Sequence, residues 1–447
     1  MVLPLFNTVL LDVTVLLCCV ACLMTFTKMS VTHPATIYLL FHGLFSTARA
    51  IAILNGATTL FSWKGAIPVS ESEIARSLML ADLALIAMTS AWILAAHLTA
   101  RPSAMKRDAK PRRLRPELLK PVAIVCILVG CAAMLLWSKL PGISTPLISA
   151  GQNSNWIVIP QTWVGLSLLA LIYWYGFRPG LLIGLAGYFA WVIYQANFRF
   201  RLLITLILLM QIYLDRRGRS WPGMSGISVF VISALLFFPL KGIGQQLQAG
   251  QGAGEVLENA RTEIASVFTG DHPDQTILDQ FASALTLADA RGQLYWGLTY
   301  AGLLTVAIPR QWWPEKPGLT EYEHQISTSD RPMADTGMVV TMLGEFYLNF
   351  AYPGVVIMSF AVAYFTGVWF DAAYRAGYLS LMHFTYLLVA CNLIQVYRDG
   401  LISLFVFTVI NMFPLVLLVA LHVCMRRKRT LYTQAIIETP RVRQPMT

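Results

Sequence analysis

Five arginines stand where little else in the chain offers a cation. Arg199 and Arg201 sit at one end of an apolar block, Arg310 and Arg331 in an acidic segment, and Arg398 in a tight turn between two late apolar blocks. A guanidinium keeps its charge and presents a planar fork of donors, which matches the paired oxygens of a phosphate or diphosphate. Ion pairs with nearby Asp or Glu, or snorkelling to a membrane surface, would draw on the same residue type. Arg199 and Arg201 are two positions apart, so on one helix they diverge by roughly 200° and only one can face a given site. Gln195, four residues before Arg199, would share its face on a continuous helix. Arg49, toward the end of the second apolar block, is a secondary candidate, because a charge there is costly unless it faces a cavity.

The stretch Ile308-Pro309-Arg310-Gln311-Trp312-Trp313-Pro314-Glu315-Lys316-Pro317 adds two indoles and a further cation. Indole faces stack on sugar rings or rest at a lipid–water boundary, and three prolines hold the chain extended beside them. Arg310 and Lys316 next to Trp312 and Trp313 suit a ligand that carries both a sugar and a phosphate. Farther along, Thr341, Glu345 and Asn349 recur at every fourth position, forming one polar stripe on a helix that leads into an apolar block. Glu345 is the carboxylate expected to act as a general base toward a sugar hydroxyl, unless it partners one of the arginines. His324, in Glu321-Tyr322-Glu323-His324, is the alternative base or a solvated loop residue. The chain carries no P-loop, GxGxxG, nucleophile elbow, HExxH or DxD loop pair. That disfavours nucleotide-driven and metal-dependent sugar-nucleotide enzymes, so neither a metal nor a cofactor is expected.

The elements that must hold these residues follow from composition. Of 447 residues, 56% are hydrophobic and only 13% charged, against roughly 25% charged in soluble domains. The apolar residues gather into about eleven blocks (ten to thirteen) able to cross a hydrocarbon core of roughly 30 Å as helices. The expected spans are 3–25, 34–56, 75–97, 120–139, 156–177, 180–197, 202–214, 223–241, 353–371, 379–397 and 401–424. This is an all-α polytopic membrane protein, which excludes a soluble enzyme, a fibrous protein and a disordered chain. The first block has no basic residue before Lys28 and no small-residue cleavage site, so it reads as a retained span.

The net charge of +10 reports orientation. Residues 243–345 hold 13 of the 23 acidic and 5 of the 33 basic side chains, a net of −8 against +18 for the remainder. Short basic loops stay cytoplasmic. The loop from Arg101 to Lys120 carries the most, and alternation from it also places Arg178, Arg216-Arg217, Arg375 and the Arg426-Arg427-Lys428-Arg429 tail inside. The N-terminus and the acidic segment are then external and the C-terminus cytoplasmic, and no nucleic-acid partner is implied. The expected organisation is an N-terminal bundle (1–242), an external segment (243–352), C-terminal spans (353–425) and a tail (426–447). Within the external segment, Val256, Leu257, Ala260, Ile264 and Val267, and again Ile277, Leu278, Phe281 and Leu285, recur at helical spacing. Two amphipathic helices follow, with apolar faces on the bundle or the membrane surface. The seven cysteines all fall in apolar blocks and read as packing residues.

These residues resemble the bacterial oligosaccharide repeat-unit polymerases, the O-antigen polymerase or Wzy-type family. The resemblance is carried by Ile308-Pro309-Arg310, Trp313-Pro314, Lys316-Pro317, Thr341, Gly344-Glu345-Phe346-Tyr347, Asn349-Phe350 and Gly354, with Arg398 in the late turn. One departure is Ala351, where the family pattern has glycine directly after Asn-Phe. The resemblance implies a metal-independent membrane glycosyltransferase of the GT-C type at the periplasmic face of the bacterial inner membrane. Its substrate would be an undecaprenyl-diphosphate-linked oligosaccharide, alongside membrane lipids and a chain-length-regulating co-polymerase. Arg310, Arg331, Arg398, Lys316 and one of Arg199 or Arg201 would bind the diphosphate, Glu345 or His324 would be the base, and Trp312, Trp313, Thr341 and Asn349 would border the sugar. Two alternatives remain: a ligase that passes the chain to lipid A core, for which His324 is the residue to watch, and a non-enzymatic flippase of lipid-linked oligosaccharides.

Overall fold

A computed structural model describes residues 4–58, 69–100, 116–139, 155–195, 199–228, 239–269, 275–301 and 339–405, with a few isolated positions beside them. Among the described residues the regular elements are all helices. In chain order they are α1 (Leu5–Phe26), α2 (Pro34–Leu54), α3 (Glu71–Ala100), α4 (Pro116–Lys139), α5 (Asn155–Tyr175), α6 (Pro179–Gln195) and α7 (Arg199–Arg216). Then follow α8 (Leu240–Gln248), α9 (Ala253–Thr269), α10 (Ile277–Arg291), α11 (Met342–Ala376), α12 (Leu381–Asp399) and α13 (Leu401–Phe405). Stretches within α1, α2, α3, α4 and α11 are long and apolar enough to cross a membrane, and α6 is a shorter apolar helix. Apolar side chains such as Phe6, Leu10, Leu128, Ile183 and Phe365 face outward, as they must where lipid replaces water. The protein is therefore a multi-pass membrane protein. The expected spans 223–241 and 401–424 lie largely outside the described residues.

Local chemistry sets where the helices begin. His33 caps α2, its side chain accepting from Ala35 N at 3.1 Å with Pro34 in the first turn. Ser380 caps α12 by accepting from His383 N at 3.1 Å. At the centre of the bundle, α3 buries Ala81, Ala84, Leu85, Met88, Ala91, Trp92 and Ala95 against α1, α10 and α11. Small residues let helices approach without lipid between them. A Cβ added at Gly367 of α11 would lie 3.0 Å from the Ala95 methyl and 3.1 Å from the Trp92 ring.

The two amphipathic helices of the acidic segment are α9 and α10. α10 buries Ile277, Leu278, Phe281, Ala282 and Leu285 on α3 and the first turns of α11. α9 packs against α8, with Val256, Ala260, Ile264 and Val267 half-buried and Leu257 73% exposed. Gln195 ends α6 and Arg199 opens α7. The shared face expected of those two residues required a continuous helix, which these bounds do not provide.

α11 starts well ahead of the span expected from 353 because it is two helices joined at a kink. Ala351 sits at φ 53°, ψ −147°, and Pro353 follows it. A proline cannot donate to the ladder, and that backbone region suits glycine. The carbonyls left open at the end of the first arm find donors in another segment. Tyr295 N donates to Leu348 O at 3.0 Å and Trp296 N to Asn349 O at 3.1 Å. The kink falls on the residue where the family pattern has glycine, so the departure noted in the sequence is a strained alanine. Ala351→Gly should stabilise the protein by about 1 kcal/mol, relief of strain outweighing the added chain entropy. A thermal melt of the detergent-solubilised protein measures this, and a lower melting temperature would contradict it.

Candidate functional site

The first arm of α11, Met342 to Phe350, is buried at nearly every position. Thr341 caps it, its hydroxyl accepting from Gly344 N at 3.0 Å. Asn349 ties its far end to the 295–301 segment. The Asn349 amide oxygen accepts from Gly297 N and from the Thr299 hydroxyl, both at 3.0 Å, and its nitrogen donates to Glu345 O at 2.8 Å. The stripe expected of Thr341, Glu345 and Asn349 is present, but all three residues are buried and the outer two fasten the arm at its ends.

Glu345, 3% exposed, points at the junction between α12 and α13. Its Oε2 accepts from Leu401 N at 2.8 Å, placing a carboxylate at the start of α13, where the open backbone N–H groups favour a negative charge. Gly400 makes the junction possible. Its φ is +100°, its N–H closes α12 onto Val396 O at 2.8 Å, and a Cβ there would run into Glu345 Oε2. The other oxygen, Oε1, is buried without a close hydrogen bond among the described residues, and the buried Tyr300 hydroxyl faces the carboxylate. Burial, and next the facing Glu345 charge, hold the Tyr300 phenol well above its usual range. One carboxylate oxygen is thus fixed by backbone and the other side of the carboxylate faces Tyr300.

Arg398 lies in the last turn of α12, three residues before the N–H that Glu345 accepts, and pairs with Asp399 at 3.5 Å. It was expected in the turn itself, which Gly400 makes instead. Gln395 Nε2 donates to Asp399 Oδ2, so the end of α12 is a short polar run beside the Glu345 arm.

Two further arginines are held on the same side of the bundle. Arg49 donates from Nε to Asp279 Oδ1 at 2.9 Å and from Nη2 to Asp279 Oδ2 at 2.7 Å, with both side chains fully buried. It therefore joins α2 to α10. Arg76, near the start of α3, escaped the sequence reading because it was taken as the first turn of a span. It pairs with Asp289, donates to Tyr347 Oη at 2.6 Å and Tyr352 Oη at 2.9 Å, and lies 5.7 and 5.4 Å over those two rings. An arginine at the end of a span, like Arg199, was the available signal. Tyr300 carried none, being one aromatic among many.

Trp313 is described only by its exposure, 41%. Arg310, Trp312, Lys316, His324 and Arg331 lie outside the described residues, and Arg199 and Arg201 are placed in the first turn of α7 by backbone alone. The structure therefore brings together Thr341, Glu345, Asn349 and Arg398 from the expected set.

Residues 318–428 match the family model of the O-antigen polysaccharide polymerase Wzy. The interval contains His324, Arg331, Thr341, Glu345, Asn349 and Arg398. No curated protein and no solved structure matches the chain.

Proposed function

We propose, from the Wzy match over residues 318–428, that the protein polymerises undecaprenyl-diphosphate-linked oligosaccharide repeat units at the periplasmic face of the bacterial inner membrane. The observation that carries this reading is the Glu345 arm. Within the matched interval, a buried carboxylate that faces Tyr300 stands beside the end of α12 that bears Arg398.

In the reaction, the bond between the anomeric carbon of one lipid-linked chain and its diphosphate oxygen breaks. A new bond forms from that carbon to the terminal sugar hydroxyl of a second unit. Glu345 takes the hydroxyl proton on Oε1, with His324 as the alternative base, and undecaprenyl diphosphate departs. The leaving group is already activated, so the transfer requires neither a metal nor a nucleotide. Arg310, Arg331, Arg398, Lys316 and one of Arg199 or Arg201 hold the diphosphate and offset the charge that grows on it as the bond breaks. Trp312 and Trp313 border the sugar path, and Thr341 and Asn349 hold the arm at its edge. A chain-length-regulating co-polymerase would act on the same growing chain.

Reconstitution with a purified lipid-linked repeat unit tests this directly. The wild type should give a ladder of lipid-linked polymer, and Arg310→Ala or Arg398→Ala should lower polymer by about 100-fold, the usual cost of removing one charge-stabilising donor, with the protein still folded. Single-step transfer to lipid A core in place of a ladder would identify a ligase instead, and a normally polymerising Arg398→Ala would remove that residue from the site.

A further inference from the structure

Deep in the bundle, three ionisable side chains from three helices converge. Asp12 of α1, His42 of α2 and Asp82 of α3 are 0%, 1% and 4% exposed. His42 Nε2 lies 2.7 Å from Asp12 Oδ1 and 3.7 Å from Asp82 Oδ1, and one ligand atom from each residue falls within 4.8 Å of the others. At 1.5 Å per residue Asp82 is about 16 Å along α3 from its first residue, which is well within a hydrocarbon core.

His42 Nε2 is hydrogen-bonded to Asp12 Oδ1 at 2.7 Å, and the Asp82 carboxyl stands beside that of Asp12. Among the described residues, Asp12 Oδ2 and both oxygens of Asp82 have no hydrogen-bond partner. Thr47, 7% exposed, contributes a buried hydroxyl that faces Asp12. The backbone is shaped to deliver it. Gly43–Thr47 is a π turn, closed by Ala48 N onto Gly43 O. Its i→i+5 pattern brings residues five apart, here His42 and Thr47, toward one face, whereas an α-helix would separate them. Such insertions distort the ladder and persist where they position a group.

Two carboxylates this deep are costly unless something cancels their charge. We propose that Asp12, His42 and Asp82 bind one divalent transition-metal cation, with the Thr47 hydroxyl or a water as fourth ligand. The charges sum to zero when the imidazole is neutral: two carboxylates balance one M²⁺. One nitrogen and two carboxylate oxygens, with a weaker oxygen, form a ligand set that Zn²⁺ accepts in four-coordinate geometry. The ion would pin α1, α2 and α3 together. It serves the bundle and takes no part in sugar transfer.

Full-length protein in detergent, loaded with Zn²⁺ and desalted, should hold about one Zn²⁺ per chain by elemental analysis. Asp82→Asn and His42→Gln should lose it. Because those variants could fold poorly, a second measurement uses the wild type alone. A strong chelator should lower its melting temperature by several degrees and Zn²⁺ should restore it, since a ligand that binds only the folded state stabilises it. Co²⁺ in place of Zn²⁺ should give the visible absorption of a four-coordinate site. A loaded wild type without stoichiometric metal would overturn the proposal and leave a cluster neutralised by protons. Full Zn²⁺ retention in folded Asp82→Asn would overturn it too, by placing the ion elsewhere.

Discussion

Glu345→Gln lowers polymer formation by about 100-fold or more, the range a general base supplies, while the protein accumulates and melts as the wild type does. The expectation rests on the division of labour between the two carboxylate oxygens. Oε2 accepts from Leu401 N at 2.8 Å, a duty that a glutamine oxygen performs equally well. The amide nitrogen then occupies the place of Oε1, beside the Tyr300 hydroxyl, which can accept from it. The start of α13 stays capped and the arm stays packed, and only the ability to take a proton is lost. Glu345→Ala removes the cap as well and should cost about 1 kcal/mol of stability in addition. The assay is the polymer ladder from a defined lipid-linked unit, alongside a melt of the same preparation. A Glu345→Gln protein that polymerises normally would reduce Glu345 to a helix cap and move the search for a base to His324.

Arg49→Ala destabilises the protein by about 3–5 kcal/mol, the usual penalty for breaking a buried ion pair from one side. Both side chains are fully buried, and two hydrogen bonds, of 2.9 and 2.7 Å, join Arg49 to the two oxygens of Asp279. The arginine also donates to Thr58 O at 2.6 Å. Removing it takes the bidentate partner from a carboxylate that cannot reach water. The damage should spread, because α10, which carries Asp279, packs through Phe281 and Ala284 in the same core as Leu343 and Phe346 of the Glu345 arm. The double variant with Asp279→Ala should be destabilised by less than the sum of the singles, since neither charge is then left alone. Thermal melts of the four proteins measure the coupling. An Arg49→Ala chain within 1 kcal/mol of the wild type, on the order of an exposed pair's worth, would rule the pair out as a structural tie.

Hydropathy alone determined that the chain is a helical membrane protein, because a span must bury its backbone polar groups along its own length and must be apolar wherever lipid touches it. The same period-reading found α9 and α10, whose stripes lie within single helices. It also located Thr341, Glu345 and Asn349 on one face, since four-residue spacing is a local property of a helix. The glycine missing after Phe350 was marked only by the family resemblance, and Ala351 at φ 53° shows why the position is unusual.

Only the tertiary structure decided what each charge faces. Glu345 meets Leu401, Arg49 meets Asp279, Arg76 meets Asp289, and Asp12, His42 and Asp82 meet one another. Each of these pairings joins different helices, and no periodicity within a helix encodes which neighbour will stand against it. The sequence could say that a buried charge requires a partner, because desolvation is a property of the residue and its depth. Which partner depended on how small residues such as Ala95 and Gly367 let α3 and α11 close together, and on where a π turn and a kink turned the chain.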